Sequence, residues 1–373
     1  MSEIRVRSFL RRSFPSGGQW WSALANVAVV VLAAAVTALL ALIVEDLLPM
    51  SPPSANGVVW QRRWWLIGVL VALVAGVVGR TVHKSARGTL FYVQFLEEGM
   101  KNWHTRPLGV AKERHLAVKW VLRWVSLARR TDNGVIDLVE PCAELAHTVQ
   151  SEVNADTDDS GFTLATNTLW PVSLALGWSL SKPDRLTLLD FADKAKGGKD
   201  PEYPLMLSKA KVSHLRHECL EMKPPTGDRV GVWVALTQMA AHCDERNFRK
   251  FGVGCLHRIT FHGYMPGDPD YEPTFGKEEL EQFGWDVAQY LHDIKKQAGS
   301  RELVVIAMMP KTTALVTGWH LSRMPLAFFQ GTHLMHYDMV SKHYIPMRVF
   351  ESQPTVAPST GEAGSARDDH VHA

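Results

Sequence analysis

Residues 302–322 read ELVVIAMMPKTTALVTGWHLS, and this stretch decides how the rest of the chain is read. An unbroken apolar run, a proline, two threonines and a Gly-Trp pair predict a buried strand, a tight turn and a helix starting near Pro310. Residues 163–181, TLATNTLWPVSLALGWSLS, follow the same plan around Trp170 and Pro171. The pentapeptide GWSLS at 177–181 returns as GWHLS at 318–322, a displacement of 141 residues (318 − 177). The Pro-to-Gly spacing differs by two residues between the copies, so the two helix starts need not correspond. A strand–turn–helix unit present twice implies two related half-domains.

The surroundings fit an α/β domain. RVGVWVALTQ (229–238) and CLHRITFHG (255–263) are short β-branched runs. Residues 277–297 carry Leu280, Phe283, Val287, Leu291 and Ile294 at helical spacing. Strands alternating with helices imply a largely parallel sheet covered by helices. In such sheets ligands bind beyond the carboxyl ends of the strands, where helix N-termini present unpaired N–H groups and a favourable dipole to phosphate. Two related units side by side would suit a ligand with repeated phosphates, such as a cyclic oligonucleotide.

Working towards the N-terminus, residues 20–44 (WWSALANVAVVVLAAAVTALLALIV) contain no charge. They are long enough to cross a bilayer and longer than a signal-peptide core. A second apolar stretch, residues 64–80, is flanked by Arg62, Arg63 and Arg80, with Trp60, Trp64 and Trp65 at its edge. Both read as transmembrane helices within an anchor of residues 20–82. Arg5, Arg7, Arg11 and Arg12 in the N-terminal segment 1–19, and Arg80, Lys84 and Arg87 beyond the second span, place both flanks on the cytosolic side. Gly68, Ala72 and Gly76 form a small-residue stripe for helix packing, either within the hairpin or between subunits. Residues 83–115 read as a juxtamembrane connector and 116–350 as the soluble domain, with halves of about 116–225 and 226–350. Residues 351–373, rich in Pro, Ser and Gly, read as a disordered tail.

Composition narrows the function classes. The 373 residues carry a formal net charge of +2, which argues against long nucleic acid as a partner. Four cysteines without CxxC pairing read as buried residues in a reducing compartment. His214 and His217 in HLRHE are spaced for neither HExxH nor HxxEH, so no metal set is assigned. The run GDPDYEPTFGKEE (267–279) lacks the lysine spacing of a PD-(D/E)xK nuclease. GxSxG, Walker A and GxGxxG are absent from the sequence. No catalytic residues and no cofactor are assigned.

The stretch LVVIAMMPKTTALVTGWHL, followed by AFFQ, HLMHYD and KHYIPMRVF, resembles the last half of SAVED domains, and GFTLATNTLWPVSLALGWSL resembles the corresponding earlier part. The resemblance covers about 116–350. It implies an α/β domain of two fused CARF-like Rossmannoid halves that senses a cyclic oligonucleotide in bacterial anti-phage signalling (CBASS). Joined to a two-helix transmembrane hairpin, it resembles transmembrane SAVED effectors, which implies a multi-pass protein of the bacterial inner membrane that forms homo-oligomers on ligand binding and disrupts the bilayer. A membrane-tethered ring nuclease and a non-catalytic scaffold are the alternatives. In this reading Lys311, Thr312 and Thr313 contact phosphate, Asn167 and Ser173 line the first turn, and Trp170 stacks a base. Against it, Trp170 can be core and Lys311 solvated. Tyr337 and Tyr344 either stack on the ligand or pack inside.

Overall fold

The computed structural model of the chain describes residues 5–8, 64, 67, 68, 71, 76, 88–97, 105–114, 116–127, 133–156, 161–181, 186–191, 200–205, 213, 215–222, 227–237, 243–261, 277–338 and 341–358. In chain order the elements are β1 (Arg5–Ser8), β2 (Thr89–Glu97), α1 (Thr105–Arg114), β3 (Ala117–Val125), β4 (Ile136–Asp137), α2 (Val139–Asn154), β5 (Phe162–Thr168), α3 (Trp170–Ser179), β6 (Leu186–Leu189), β7 (Glu202–Pro204) and β8 (Leu215–Glu221). There follow β9 (Arg229–Ala235), α4 (Glu245–Arg249), β10 (Val253–Phe261), α5 (Lys277–Ala298), β11 (Leu303–Met308), α6 (Lys311–Leu321), β12 (Thr332–Asp338) and β13 (His343–Arg348).

They build two sheets, of order β1-β3-β2-β5-β6-β7 and β4-β13-β12-β11-β9-β10-β8. The centre of each is parallel: β3-β2-β5-β6 in the first and β12-β11-β9-β10 in the second. Antiparallel β1 and β7 close the first, and β8 and β13 flank the centre of the second. Sequence explains the split. LFYVQFL in β2 and LVVIA in β11 are buried on both faces, as central parallel strands require. The edge strand β8 (LRHECLE) instead buries only its first residue, Leu215, and leaves the rest half-buried or exposed.

Three boundaries differ from the sequence reading. Residues 83–115, read as a connector, contain β2, a central strand of the first sheet, and α1, which covers one of its faces. Its aromatic run is core, because Tyr92 and Phe95 are fully buried. The halves also exchange chain: β4 and β8, on the first-half side of residue 225, belong to the second sheet. Finally, residues 351–358 of the tail are folded. The Gln353 side chain accepts from Val349 N at 2.7 Å and Phe350 N at 3.0 Å and donates to Thr332 O at 3.1 Å, satisfying backbone groups at the end of β13. Residues 359–373 lie outside the described residues.

The repeat holds in three dimensions. A shift of 141 carries the start of β5, Phe162, onto Leu303, the start of β11, and the start of α3, Trp170, onto Lys311, the start of α6. The helix starts therefore correspond despite the displaced prolines. The helices lie against each other between the sheets and are buried nearly all round, as central helices are. A Cβ on Gly177 would meet Leu315 O at 1.9 Å, and one on Gly318 would meet Leu174 O at 2.0 Å. Leu174 and Leu315 are themselves 141 apart, so the two contacts exchange under the repeat (315 − 174). Glycine at both positions lets the backbones touch. Burying Leu174, Leu176, Leu315 and Val316 around that contact contributes roughly 1.5–3 kcal/mol per side chain.

Among the described residues no helix is long and apolar enough to cross a membrane. The stretch 20–44 lies outside the described residues, as does Ala72. Of the second stretch, Trp64, Ile67, Gly68, Val71 and Gly76 are described and helical. Trp64, Ile67 and Val71 are exposed, and nothing lies within 4 Å of a Cβ built on Gly68 or Gly76.

Candidate functional site

The carboxyl ends of β2, β5 and β6 and the N-terminus of α6 meet at one place. β2 and β5 are paired so that Gln94 stands beside Asn167, on the face that also carries Tyr92 and Ala165. β5 ends at Thr168, whose hydroxyl bonds Ser173 Oγ at 2.5 Å and so closes the turn into α3. From the other half, Lys311 at the first position of α6 donates a hydrogen bond from Nζ to Asn167 Oδ1. Asp190, just past β6, completes the group, facing Thr312, Lys311 and Arg106. Arg106, in the first turn of α1, holds Asp200 at 2.7 Å and lies 5.2 Å over the Phe191 ring.

The electrostatics follow from enclosure. Burial pushes the Asp190 carboxyl above its ordinary range, opposed by the Thr312 hydroxyl and by the Lys311 and Arg106 charges. Burial likewise pulls the Lys311 ammonium down, opposed by Asp190. Each charge is thus held by the other at a desolvation cost. Burial also pushes the Tyr92 phenol up to about 12, opposed by the neighbouring Asn167 amide.

Several buried polar atoms here lack geometrically good partners. Gln94 is 1% exposed, and neither its Oε1 nor its Nε2 makes a hydrogen bond; Asn167 Nδ2 likewise makes none. Leaving such groups unsatisfied costs about 1–3 kcal/mol each, so their concentration at strand ends marks a place built for a polar ligand or water. α3 and α6 both begin without a side-chain cap. Pro171 removes one N–H from the first turn of α3, whereas α6 keeps those of Lys311, Thr312 and Thr313. Only the second helix start combines free donors with a cation.

Of the residues singled out in the sequence, the structure brings Asn167, Lys311 and Thr312 together. Ser173 is fully buried and serves the β5–α3 turn. Thr313 is buried inside α6, with its carbonyl accepting from Thr317 Oγ1 at 2.8 Å. Trp170 is buried at the start of α3, 9% exposed. Tyr344, on β13 of the second sheet, is buried beside Tyr337, with ring centroids 5.1 Å apart, and beside Cys243. Tyr92, Gln94, Arg106 and Asp190 were missed. Gln94 alone carried a signal, a lone amide inside an aromatic strand-like run. The described residues able to hold a metal ion, Cys219, Cys255 and His257, sit on β8 and β10 at the far edge of the second sheet.

No family model and no curated protein matches the chain. Solved structures of the Acinetobacter baumannii Cap4 SAVED/CARF-domain receptor are similar to it. With the cyclic trinucleotide 2'3'3'-cAAA the TM-score is 0.41 at 10% identity, over 76% of this chain and 56% of that one. With 3'3'3'-cAAA it is 0.34 at 13% identity, over 55% and 42%. A third structure of the receptor gives 0.38 at 10% identity, over 79% and 61%. The chain matches less than two thirds of the length of each.

Proposed function

We propose that this chain is a membrane-anchored sensor of a cyclic oligonucleotide, an effector that binds the ring at the Asn167–Lys311 junction, associates with further copies of itself and disrupts the bacterial inner membrane during anti-phage defence. One observation carries the ligand class: an uncapped helix start with a cation, Lys311, reaches across the pseudo-symmetric interface to unsatisfied amides at the strand ends of the other half. Helix N–H groups and the ammonium favour phosphate oxygens, and the Asn167 and Gln94 amides suit base edges or ribose hydroxyls. A phosphate arriving there competes with Asp190 for Lys311. Binding therefore alters a contact that joins the two halves, which gives the ligand a differential hold on one arrangement.

The topology supports the anchor. β1 precedes both apolar stretches and β2 follows them, yet both lie in the first sheet. Two crossings return the chain to the side on which it started. The exposed apolar side chains of the second stretch and the open Gly68 and Gly76 fit packing against lipid or another helix.

The experiment is dye release from liposomes holding the full chain, challenged with cyclic di-, tri- and tetranucleotides, alongside direct binding. Release and binding with one ring, both weakened in Lys311→Met, are expected. Intact liposomes and no binding across the panel would sink the proposal. The recovered ring should be unchanged; linear product would instead favour the ring nuclease.

A further inference from the structure

The antiparallel pair β8–β10 carries different chemistry on its two faces. On one, Glu218 stands opposite Arg258 and forms ion pairs with Arg258 and Arg216. The other gathers His217, Cys219 and Glu221 from β8 with Cys255 and His257 from β10. Cys219 is directly opposite His257, and Cys255 directly opposite Glu221. Cys219 Sγ and Cys255 Sγ are 3.2 Å apart, Cys255 Sγ is 3.7 Å from His257 Nε2, and one ligand atom of each of the three residues lies within 4.8 Å of the others. His257 Nδ1 is 2.9 Å from His217 Nε2.

We propose that Cys219 Sγ, Cys255 Sγ and His257 Nε2 bind a zinc ion that clips the edge strand β8 to β10. Tetrahedral zinc with ordinary bond lengths sets its ligands about 3.8 Å apart for sulfur–sulfur and about 3.6 Å for sulfur–nitrogen, so the sulfurs need to part by only about half an ångström. Two soft sulfurs and one imidazole select zinc over the hard cations. With the His257 proton on Nδ1, donated to His217, Nε2 presents its lone pair to the ion; His217 is thus the outer partner that fixes the tautomer and ring orientation. His217 is itself held by the Tyr290 ring, 5.2 Å away on α5. The graded exposure, from open Cys219 through Cys255 to buried His257, gives an entry path. On binding, the two thiols release their protons to water. The fourth position falls to water or to the Glu221 carboxylate on the same face. A disulfide fits less well: the cysteines are diagonal rather than opposed, and their sulfurs stand well beyond the bonding distance of about 2.05 Å. This site is independent of the ligand junction at Lys311.

The test uses the full chain in detergent, equilibrated with zinc and freed of excess by gel filtration. Elemental analysis should find about one zinc per chain, lost in the Cys219→Ser/Cys255→Ser double variant. Cobalt exchange should produce a thiolate-to-cobalt charge-transfer band, a readout on the unmodified chain that stands even if the variant misfolds. His217→Gln should still bind, roughly 10–100-fold more weakly. Zinc-free chain, zinc unchanged in the double variant, no charge-transfer band, or a Cys219–Cys255 disulfide in peptide mapping of the unmodified chain would each overturn the site.

Discussion

Trp170 and Lys311 open helices related by one displacement of 141 residues, yet one presents a buried indole and the other a half-buried ammonium. The backbone around them is shared: strand, turn, uncapped helix start and a glycine that seats the partner helix. The side chains are not. The first copy contributes Asn167 at its strand end, where the shift of 141 reaches Met308 in the second. One half therefore supplies the amides, with Asp190 and Arg106, and the other supplies Lys311, so the two halves complete one junction. The repeat shares its backbone geometry, and a few differing side chains make the two copies chemically complementary.

That comparison can be broken most sharply at the glycines. Gly177→Val and Gly318→Val each force a side chain into the partner's carbonyl, and each should cost about 3 kcal/mol or more in denaturant unfolding of the full chain. Near-equal losses are expected from the symmetry; a tolerated substitution at either position would refute the reciprocal packing. Lys311→Met comes next, expected to weaken ring binding by about 2 kcal/mol, roughly thirtyfold in Kd. Trp170→Leu, at the related position, should leave binding nearly unchanged while lowering stability.

A third difference lies at the variable position of each GWxLS segment. Ser179 bonds Ala175 O at 3.0 Å, whereas His320 is 1% exposed with no hydrogen-bond partner on either ring nitrogen, its ring edge-on to Trp285 and Trp319. Burial, assisted by the Arg323 charge, pulls His320 down to about 4 from 6.5. A base depressed on folding contributes stability above its unfolded pKa and loses it as pH falls towards the folded one, so the window is 6.5 to about 4. At pH 5 the loss is about 2 kcal/mol, seen as a lower unfolding midpoint than at pH 7, and His320→Gln should flatten that slope. His336, also pulled down to about 4 by burial, adds to the same trend. The smallest effect contrasts a capped helix with the uncapped α3 and α6. Asp244 and Asn247 form a capping box on α4, and Asp244→Ala should cost about 1 kcal/mol in unfolding with no change in ring binding.

Strand and helix identity was readable wherever burial repeats locally. β9, β10 and β11 fall within three residues of the apolar runs at 229–238, 255–263 and 302–310, and α5 begins at the expected Lys277. β2 was not recognised because its aromatic residues follow an apolar stretch and look like a membrane approach. With it went Tyr92 and Gln94, two residues of the polar junction. Lys311 could be found because it follows a strand directly. Asp190 could not, since a lone carboxylate after LTLL carries no pattern.

By itself the sequence determined the alternation of strands and helices, the internal repeat with its two GWxLS segments, and two apolar stretches near the N-terminus. Those properties depend on neighbours a few residues apart, and a periodic pattern of burial writes them into the chain. Only the tertiary structure decided that Lys311 meets Asn167 across 144 residues, that β4 and β8 serve the second sheet, and that Cys219 and Cys255 share one face of a ladder. Strand order and register arise from packing between distant segments, and a slip of one residue in β8 would turn its cysteine and histidine to the opposite face.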